Sequence, residues 1–222
     1  MKYEVDLRDK KFLRKAFEHI KSAHQGIERK NYQQEAAYVS AVMGRLNGTI
    51  KDPKTSGTLE FKFETVVVND RGPGAAESKY GADFAIVFNK KGVENGCSKA
   101  ILGQAKNGKS DDLSKRERTR LIGQCDKMYK HTADYIVVEA PQGGDTGPMV
   151  RIGDQREQLK IGKSRISLEH YIMNKLVGCH HGDRRDDFID AVQDSSLSKL
   201  EIITNGLDLD LDLTRGDRSL EP

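Results

Sequence analysis

The sequence predicts a mixed α/β domain, and three observations predict it. Two stretches near the N-terminus, 8–28 and 31–46, carry apolar residues at helical spacing. Between 57 and 140 the pattern changes to short strands, alternating in GTLEFKFETVVVND and continuously apolar in ADFAIVF, KAILGQAK and ADYIVVEA. One amphipathic helix, from about 111 to 130, precedes the last of these strands. The order helix, strand, strand, strand, helix, strand implies a mixed sheet flanked by helices.

Each element has its own signal. In 31–46, Tyr32, Ala36, Val39, Val42, Met43 and Leu46 share one face, and Asn47-Gly48 supplies the stop. Leu59, Phe61 and Phe63 alternate before the β-branched run Thr65-Val66-Val67-Val68, which Asn69-Asp70 ends. RGPGAAESKYG reads as a loop. The polar connection NKKGVENGCS is short enough to imply a hairpin between its flanking strands. For the 111–130 helix, Ser110 or Asp111 is the expected cap, with Leu113, Leu121, Ile122, Cys125 and Met128 facing inward. Beyond PQGGDTGP the signals weaken: MVRIG reads as a strand, SLEHYIMNKLVG as a helix and LEIITNG as an edge strand. LDLDLDLTRGDRSLEP reads as a tail, from about 206, whose Arg215-Gly216-Asp217 is incidental. The expectation is one domain over 1–205.

Composition bounds the function classes. A chain of 222 residues suits a single domain with a sizeable core. Charged residues form 32% of it, mean hydropathy is −0.67, and no apolar run approaches the roughly 20 residues a membrane span needs. MKYEVDLRDKKF lacks the apolar core of a secretory signal, and Cys97, Cys125 and Cys179 are odd in number and far apart, so free thiols in a reducing cytoplasm are expected. The net charge of +3 is uninformative, but the stretch from Lys106 to Arg120 gathers Lys109, Lys115, Arg116, Arg118 and Arg120 around three acids, either a solvated helix face or a phosphate-contacting patch.

The stretch ILGQAKNGKS, Ile101 to Ser110, admits two active sites. Gly103, four residues, then Gly108-Lys109-Ser110 matches the loop that wraps nucleotide phosphates. Against that reading, Asp111 and Asp112 would oppose bound phosphates at the helix start, and a hairpin before the loop does not suit the parallel sheet such enzymes need. In the other reading Gln104 and Lys106 project from one face of a strand. A hairpin folded about Glu94 brings residues whose numbers sum to roughly 188 opposite one another, which sets Asp83 across from Gln104 to Lys106. Asp83, the Gln104 oxygen and the Ala105 carbonyl would suit a hard divalent ion such as Mg²⁺, while Lys106 orients or deprotonates water. Gly81 and Ala82, being small, would let a nucleic-acid backbone approach. An ion pair between Asp83 and Lys106 at a strand end is the bland alternative. Cys179-His180-His181, with Asp183 following, lacks a second ligand pair at zinc-finger spacing and reads as a loop at a helix end.

The helix with Glu35, Gly81-Ala82-Asp83, Gln104-Ala105-Lys106 and the helix that follows resemble the PD-(D/E)XK nuclease superfamily, with Gln104 in the manner of its Mrr-like restriction endonucleases. The resemblance spans roughly 33–139, a core of about 30–140, and implies a restriction-endonuclease-like αβββαβ sheet. It implies a catalytic set of Glu35, Asp83, Gln104 and Lys106, with Mg²⁺ held by Glu35, Asp83, Gln104 and Ala105 and Mn²⁺ able to substitute. Glu60 and Glu64 are fallbacks for the helix acid. Gln124 and Tyr129 resemble, at altered spacing, a Gln and Tyr that some members place near substrate; with Lys109, Lys115 and Arg116 they form the expected substrate-binding set. Ala82 stands where the motif has Pro. The implied function is metal-dependent cleavage of nucleic acid, DNA foremost with RNA open, in bacterial defence or antiviral restriction. A homodimer or larger homo-oligomer is expected, with regulation by a second protein or a small ligand. The rival from another class is a silent nuclease-fold module that holds DNA or a protein partner.

Overall fold

A computed structural model describes residues 7–32, 34–52, 59–68, 76–94, 96–141 and 147–207. The tail from 208, with its Arg-Gly-Asp, and residues 69–75 and 142–146 lie outside the described residues. Among these residues the chain forms one eight-stranded mixed sheet, mostly antiparallel, with helices on both faces.

Helix α1 (Leu7–Gln25) and helix α2 (Glu35–Leu46) open the chain. α2 buries Tyr38, Val39, Val42, Met43 and Leu46, close to the predicted stripe, and its last turn gives way at Asn47 to strand β1 (Gly48–Lys51), which the sequence reading did not foresee. Strand β2 (Glu60–Val66) alternates as expected, with Phe61 and Phe63 inward. A short helix α3 (Ala76–Tyr80) leads into the hairpin of β3 (Phe84–Lys91) and β4 (Cys97–Asn107). Its antiparallel register pairs Phe84 with Gly103 and Ile86 with Ile101, so paired numbers sum to 187, one less than the expected sum.

Helix α4 (Lys115–His131) starts later than predicted. Its cap is Ser114, not Ser110 or Asp111, because Ser114 and Glu117 form a reciprocal capping box; Ser110–Asp112 are a separate 3-10 turn. Strand β5 (Tyr135–Ala140) then runs parallel to β4, pairing Gln104 with Val137 and Lys106 with Glu139. β6 (Met149–Ile152) and β7 (Ile166–Ser167) extend that edge. α5 (Leu168–His170) continues as a π-helical stretch over Tyr171–Val177, and α6 (Asp186–Gln193), unforeseen in the sequence, leads to β8 (Ser198–Asn205).

The strand order β1-β2-β8-β3-β4-β5-β6-β7 corrects one expectation sharply. LEIITN is not an edge strand: β8 lies inside the sheet, antiparallel to β2 and parallel to β3. In the fold Ser198, Leu200, Ile202 and Thr204 are buried, and the polar face is matched laterally: Asn89 Nδ2 on β3 donates to Glu201 at 2.6 Å, and Lys199 Nζ donates to the carbonyls of Gln193 and Ser195. The last described strand thus completes the core that the earlier strands begin.

Two apolar layers cover the sheet. One packs α1, α2 and α5 on Phe61, Phe63, Ile86, Phe88, Ile101 and Val138. The other packs α4 and α6 on Val87, Leu102, Tyr135 and Val137.

Candidate active site

Alternation along β4 sends Gln104 and Lys106 toward α4 and Ala105 toward the α1/α2 layer. Asp83 lies where the chain enters β3, and its N–H donates to the Gly103 carbonyl at 2.8 Å, so the hairpin register itself fixes the carboxylate. One oxygen, Oδ2, accepts the Ala105 N–H at 2.8 Å and also a hydrogen bond from the Gln104 amide. Gly103 leaves room for a neighbouring ring at this join. A Cβ there would lie 2.2 Å from the Phe84 ring, which packs in the α1/α2 layer.

The Gln104 amide is the most telling group. Nε2 points at both the Asp83 carboxylate and the Ala105 carbonyl, the latter 3.3 Å away, while Oε1 is buried without a partner among the described residues. Leaving a buried carbonyl oxygen unpaired costs roughly 1–3 kcal/mol. Rotating the amide by half a turn, which exchanges its oxygen and nitrogen, brings Oε1 beside the other two oxygens. Carboxylate, amide oxygen and main-chain carbonyl then converge with no proton between them, and a hard cation reconciles such a set. Among the described residues, no group of three or more His, Cys, Asp or Glu could hold a metal ion; the donor set here depends instead on an amide and a carbonyl beside one acid.

Lys106 is only 5% exposed. Burial holds its amine below the ordinary lysine range, opposed by Asp83 and Glu35 and reinforced by Arg120. Burial likewise pushes the Asp83 carboxyl up to about 6; the Ala105 N–H and Lys106 pull it down, while Glu77 and Glu35 push it up. Glu35, at the first turn of α2, is therefore near enough for its charge to act on both Asp83 and Lys106. The four residues Glu35, Asp83, Gln104 and Lys106 share one end of the sheet.

Glu77, on α3, was missed by the sequence reading, in which 71–81 was a loop. It accepts from Arg120 and from Gln124 Nε2, each at 3.3 Å, and its charge acts on Asp83. The available signal was its position six residues before Asp83 on a segment short enough to fold back over it. Gly81 allows that fold. Its φ is +72°, and a Cβ would sit 2.5 Å from the Gln124 carbonyl oxygen. Gly81 and Ala82 are buried against α4, which corrects the expectation that their small size serves nucleic acid: it lets helix α4 approach.

The remaining predicted residues divide. Gln124 is buried beside Glu77. Lys109, Lys115 and Arg116 are exposed at the start of α4 or just before it. Tyr129 is 50% exposed and, five residues after Gln124, is turned about 140° around the helix away from it, so the two do not form one substrate contact. Glu60 and Glu64 are excluded as fallbacks, because β8 stands between β2 and β3 and Glu64 pairs with Lys62 at 2.6 Å.

In the phosphate-loop reading the main-chain N–H groups of 108–112 would need to be free. Gly108 N–H donates to the Ala140 carbonyl, Asp112 N–H to the Lys109 carbonyl, and Ser110 N–H to the buried Glu139 carboxylate at 2.7 Å. Glu139 is held in turn by Arg165 at 2.6 Å and lies 3.7 Å from Arg151. An internal carboxylate thus takes the place a phosphate would need. The Cys-His-His segment is structural in its imidazole: His181 Nδ1 is 2.7 Å from the Tyr171 hydroxyl and Nε2 is 3.4 Å from Asp134.

No protein-family model matches the chain, and no curated protein or solved structure matches it either.

Proposed function

We propose that the protein is a divalent-metal-dependent phosphodiesterase acting on nucleic acid, DNA foremost, as the resemblance to PD-(D/E)XK nucleases implies. The observation that carries this reading is the convergence of the Asp83 carboxylate, the Gln104 amide and the Ala105 carbonyl beside a buried lysine. An Asp–Lys ion pair alone would not need a buried amide whose oxygen has no partner among the described residues.

Asp83, Gln104 and Ala105, with Glu35 at the edge, would hold Mg²⁺ or Mn²⁺. When bound, such an ion neutralises phosphate charge and makes water more acidic. The chain's own residues supply the rest. Lys106, its amine kept below the usual lysine range by burial, can orient water and take its proton. Its ammonium form then offsets charge that builds on the phosphoryl oxygens. Arg120 and Glu77 set the local field, since one disfavours charge on Lys106 and the other disfavours charge on Asp83. Lys109, Lys115 and Arg116 remain exposed for phosphate contacts. One such site cuts one strand, so double-strand cleavage requires two copies; a role in bacterial defence is the biological setting the resemblance suggests.

The test is cleavage of supercoiled plasmid with Mg²⁺ or Mn²⁺. Nicking is expected with metal, absent with chelator, and absent in Asp83→Ala that keeps the parent's circular dichroism. Cleavage that persists at the parent's rate in folded Asp83→Ala would place the chemistry elsewhere. ATP binding lost only in Lys109→Ala would return the phosphate-loop reading.

A further inference from the structure

At the far end of β4 from this site lies a second buried lysine. Lys99 is 0% exposed, its Nζ makes no well-aligned hydrogen bond, and its stem packs on Gly182, where a Cβ would lie 2.7 Å from Lys99 Cδ. Its ammonium sits 5.3 Å over the Phe88 ring. Among the described residues, no carboxylate is among the groups that set its charge. Burial pushes its amine below the ordinary range; the Cys179 and Cys97 thiols oppose this, and Arg184 reinforces it. Those two thiols, 82 residues apart in sequence, have their sulfurs 3.5 Å apart. Cys97 begins β4, and Cys179 follows the π-helical stretch with φ at +61°, a conformation that L residues adopt rarely and that holds the thiol against its partner. Both cysteines are partly exposed. The sequence reading left three unrelated free thiols, because nothing in the chain order brings 97 and 179 together.

We propose that Cys97 and Cys179 form an oxidation site, a dithiol converted to a reversible disulfide by hydrogen peroxide, with the Lys99 cation beside the two thiols. Cys179 is written as the attacking group because burial pushes the other thiol, Cys97, up. Its thiolate attacks one peroxide oxygen: an S–O bond forms, the O–O bond breaks, and hydroxide leaves to become water. Cys97 then attacks the sulfenic sulfur: the S–S bond forms, the S–O bond breaks, and a second water leaves. Two thiols and one peroxide give one disulfide and two waters. A thiol restores the pair by exchange. Burial pushes the Cys97 thiol up, with Lys99 and Arg184 pulling it back, which suits the resolving partner. Cys125 is an internal control, fully buried on α4 with its thiol pushed up to about 12.

The experiment is oxidation of the full chain by hydrogen peroxide, followed by non-reducing peptide mapping. A Cys97–Cys179 cross-linked peptide is expected within one chain, with Cys125 still a free thiol and the melting temperature raised by on the order of 5–10 °C until reductant is added. Cys97→Ser should leave a sulfenic acid on Cys179 that a dimedone-type probe captures, and Lys99→Met should slow disulfide formation by about tenfold at pH 7. Oxidation of Cys97 and Cys179 no faster than Cys125, or single-cysteine sulfinic acid with no cross-link, overturns the proposal. A Lys99→Met protein that cross-links at the parent rate removes Lys99 from it. Every readout is a mass, a label or a melting point, independent of nuclease activity.

Discussion

Lys99 and Lys106 stand seven residues apart on one strand, both nearly inaccessible to water, and they differ in everything around them. Lys106 faces α4 and is answered by Asp83 and Glu35. Lys99 faces the other layer, packed against Phe88 and Gly182, and is answered by two thiols. The cost of removing an ammonium from water is similar at both places. The neighbours decide its use: beside carboxylates and a convergent set of oxygens an amine can serve hydrolytic chemistry, whereas beside thiols it can serve thiolate chemistry. The odd spacing of seven puts the two on opposite faces of the sheet, so the environments do not mix.

The largest expected effect breaks the comparison by function. Lys106→Met should lower metal-dependent cleavage by about 100- to 1000-fold at saturating DNA, while Lys99→Met stays within about twofold of the parent. Equal losses in the two variants, measured on the same plasmid, would mean that both act only through folding.

Next in size is the acid beside Lys106. A carboxyl raised from 3.8 to about 6 stays protonated in the native state at pH values where the unfolded chain has already released its proton. Raising pH from about 4 to 6 therefore destabilises the metal-free protein. At about 1.4 kcal/mol per unit, the loss is on the order of 2–3 kcal/mol. Asp83→Asn should flatten that slope and leave the protein more stable than the parent at pH 7 in chelator. Urea titrations at several pH values read this directly, and parallel slopes for parent and variant would rule it out.

A smaller difference sharpens the contrast between the lysines. Lys99→Met removes a buried charge that no carboxylate among the described residues answers and should raise stability at pH 7 by about 1–2 kcal/mol. Lys106→Met relieves a similar burial but strands Asp83 and Glu35 without their cation, so its net change should be under about 1 kcal/mol. Chemical denaturation of both variants decides whether the ordering holds. The smallest effect lies outside both environments. Lys109 is exposed, and Lys109→Ala should retain most cleavage at saturating DNA while the slope of log binding constant against log salt falls by about one.

How much of this was legible beforehand follows from the range of each interaction. Gln104 and Lys106 on one face, and Asp83 opposite them, needed only strand alternation and a hairpin of seven paired residues, so the register came within one residue. Ser114 as the α4 cap was also in the sequence, as Ser-x-x-Glu, but Ser110 competed for the same role; a buried Glu139 carboxylate claims the Ser110 N–H, which no local pattern announces. Glu77 escaped because its partners, Arg120 and Gln124, are more than forty residues away.

The sequence by itself determined the alternation of helices and strands, the β3–β4 hairpin and the pairing of Asp83 with the Gln104 end of it, because these depend on side-chain period and on contacts across a short connection. Tertiary structure alone decided three things. It placed β8 between β2 and β3, where Asn89 and Glu201 satisfy each other across strands. It folded α3 over the site through Gly81. It brought Cys97 to Cys179 beside Lys99. Each is a meeting of residues far apart in the chain, made favourable by apolar surface buried elsewhere in the sheet, and a local pattern carries no record of a partner that distant.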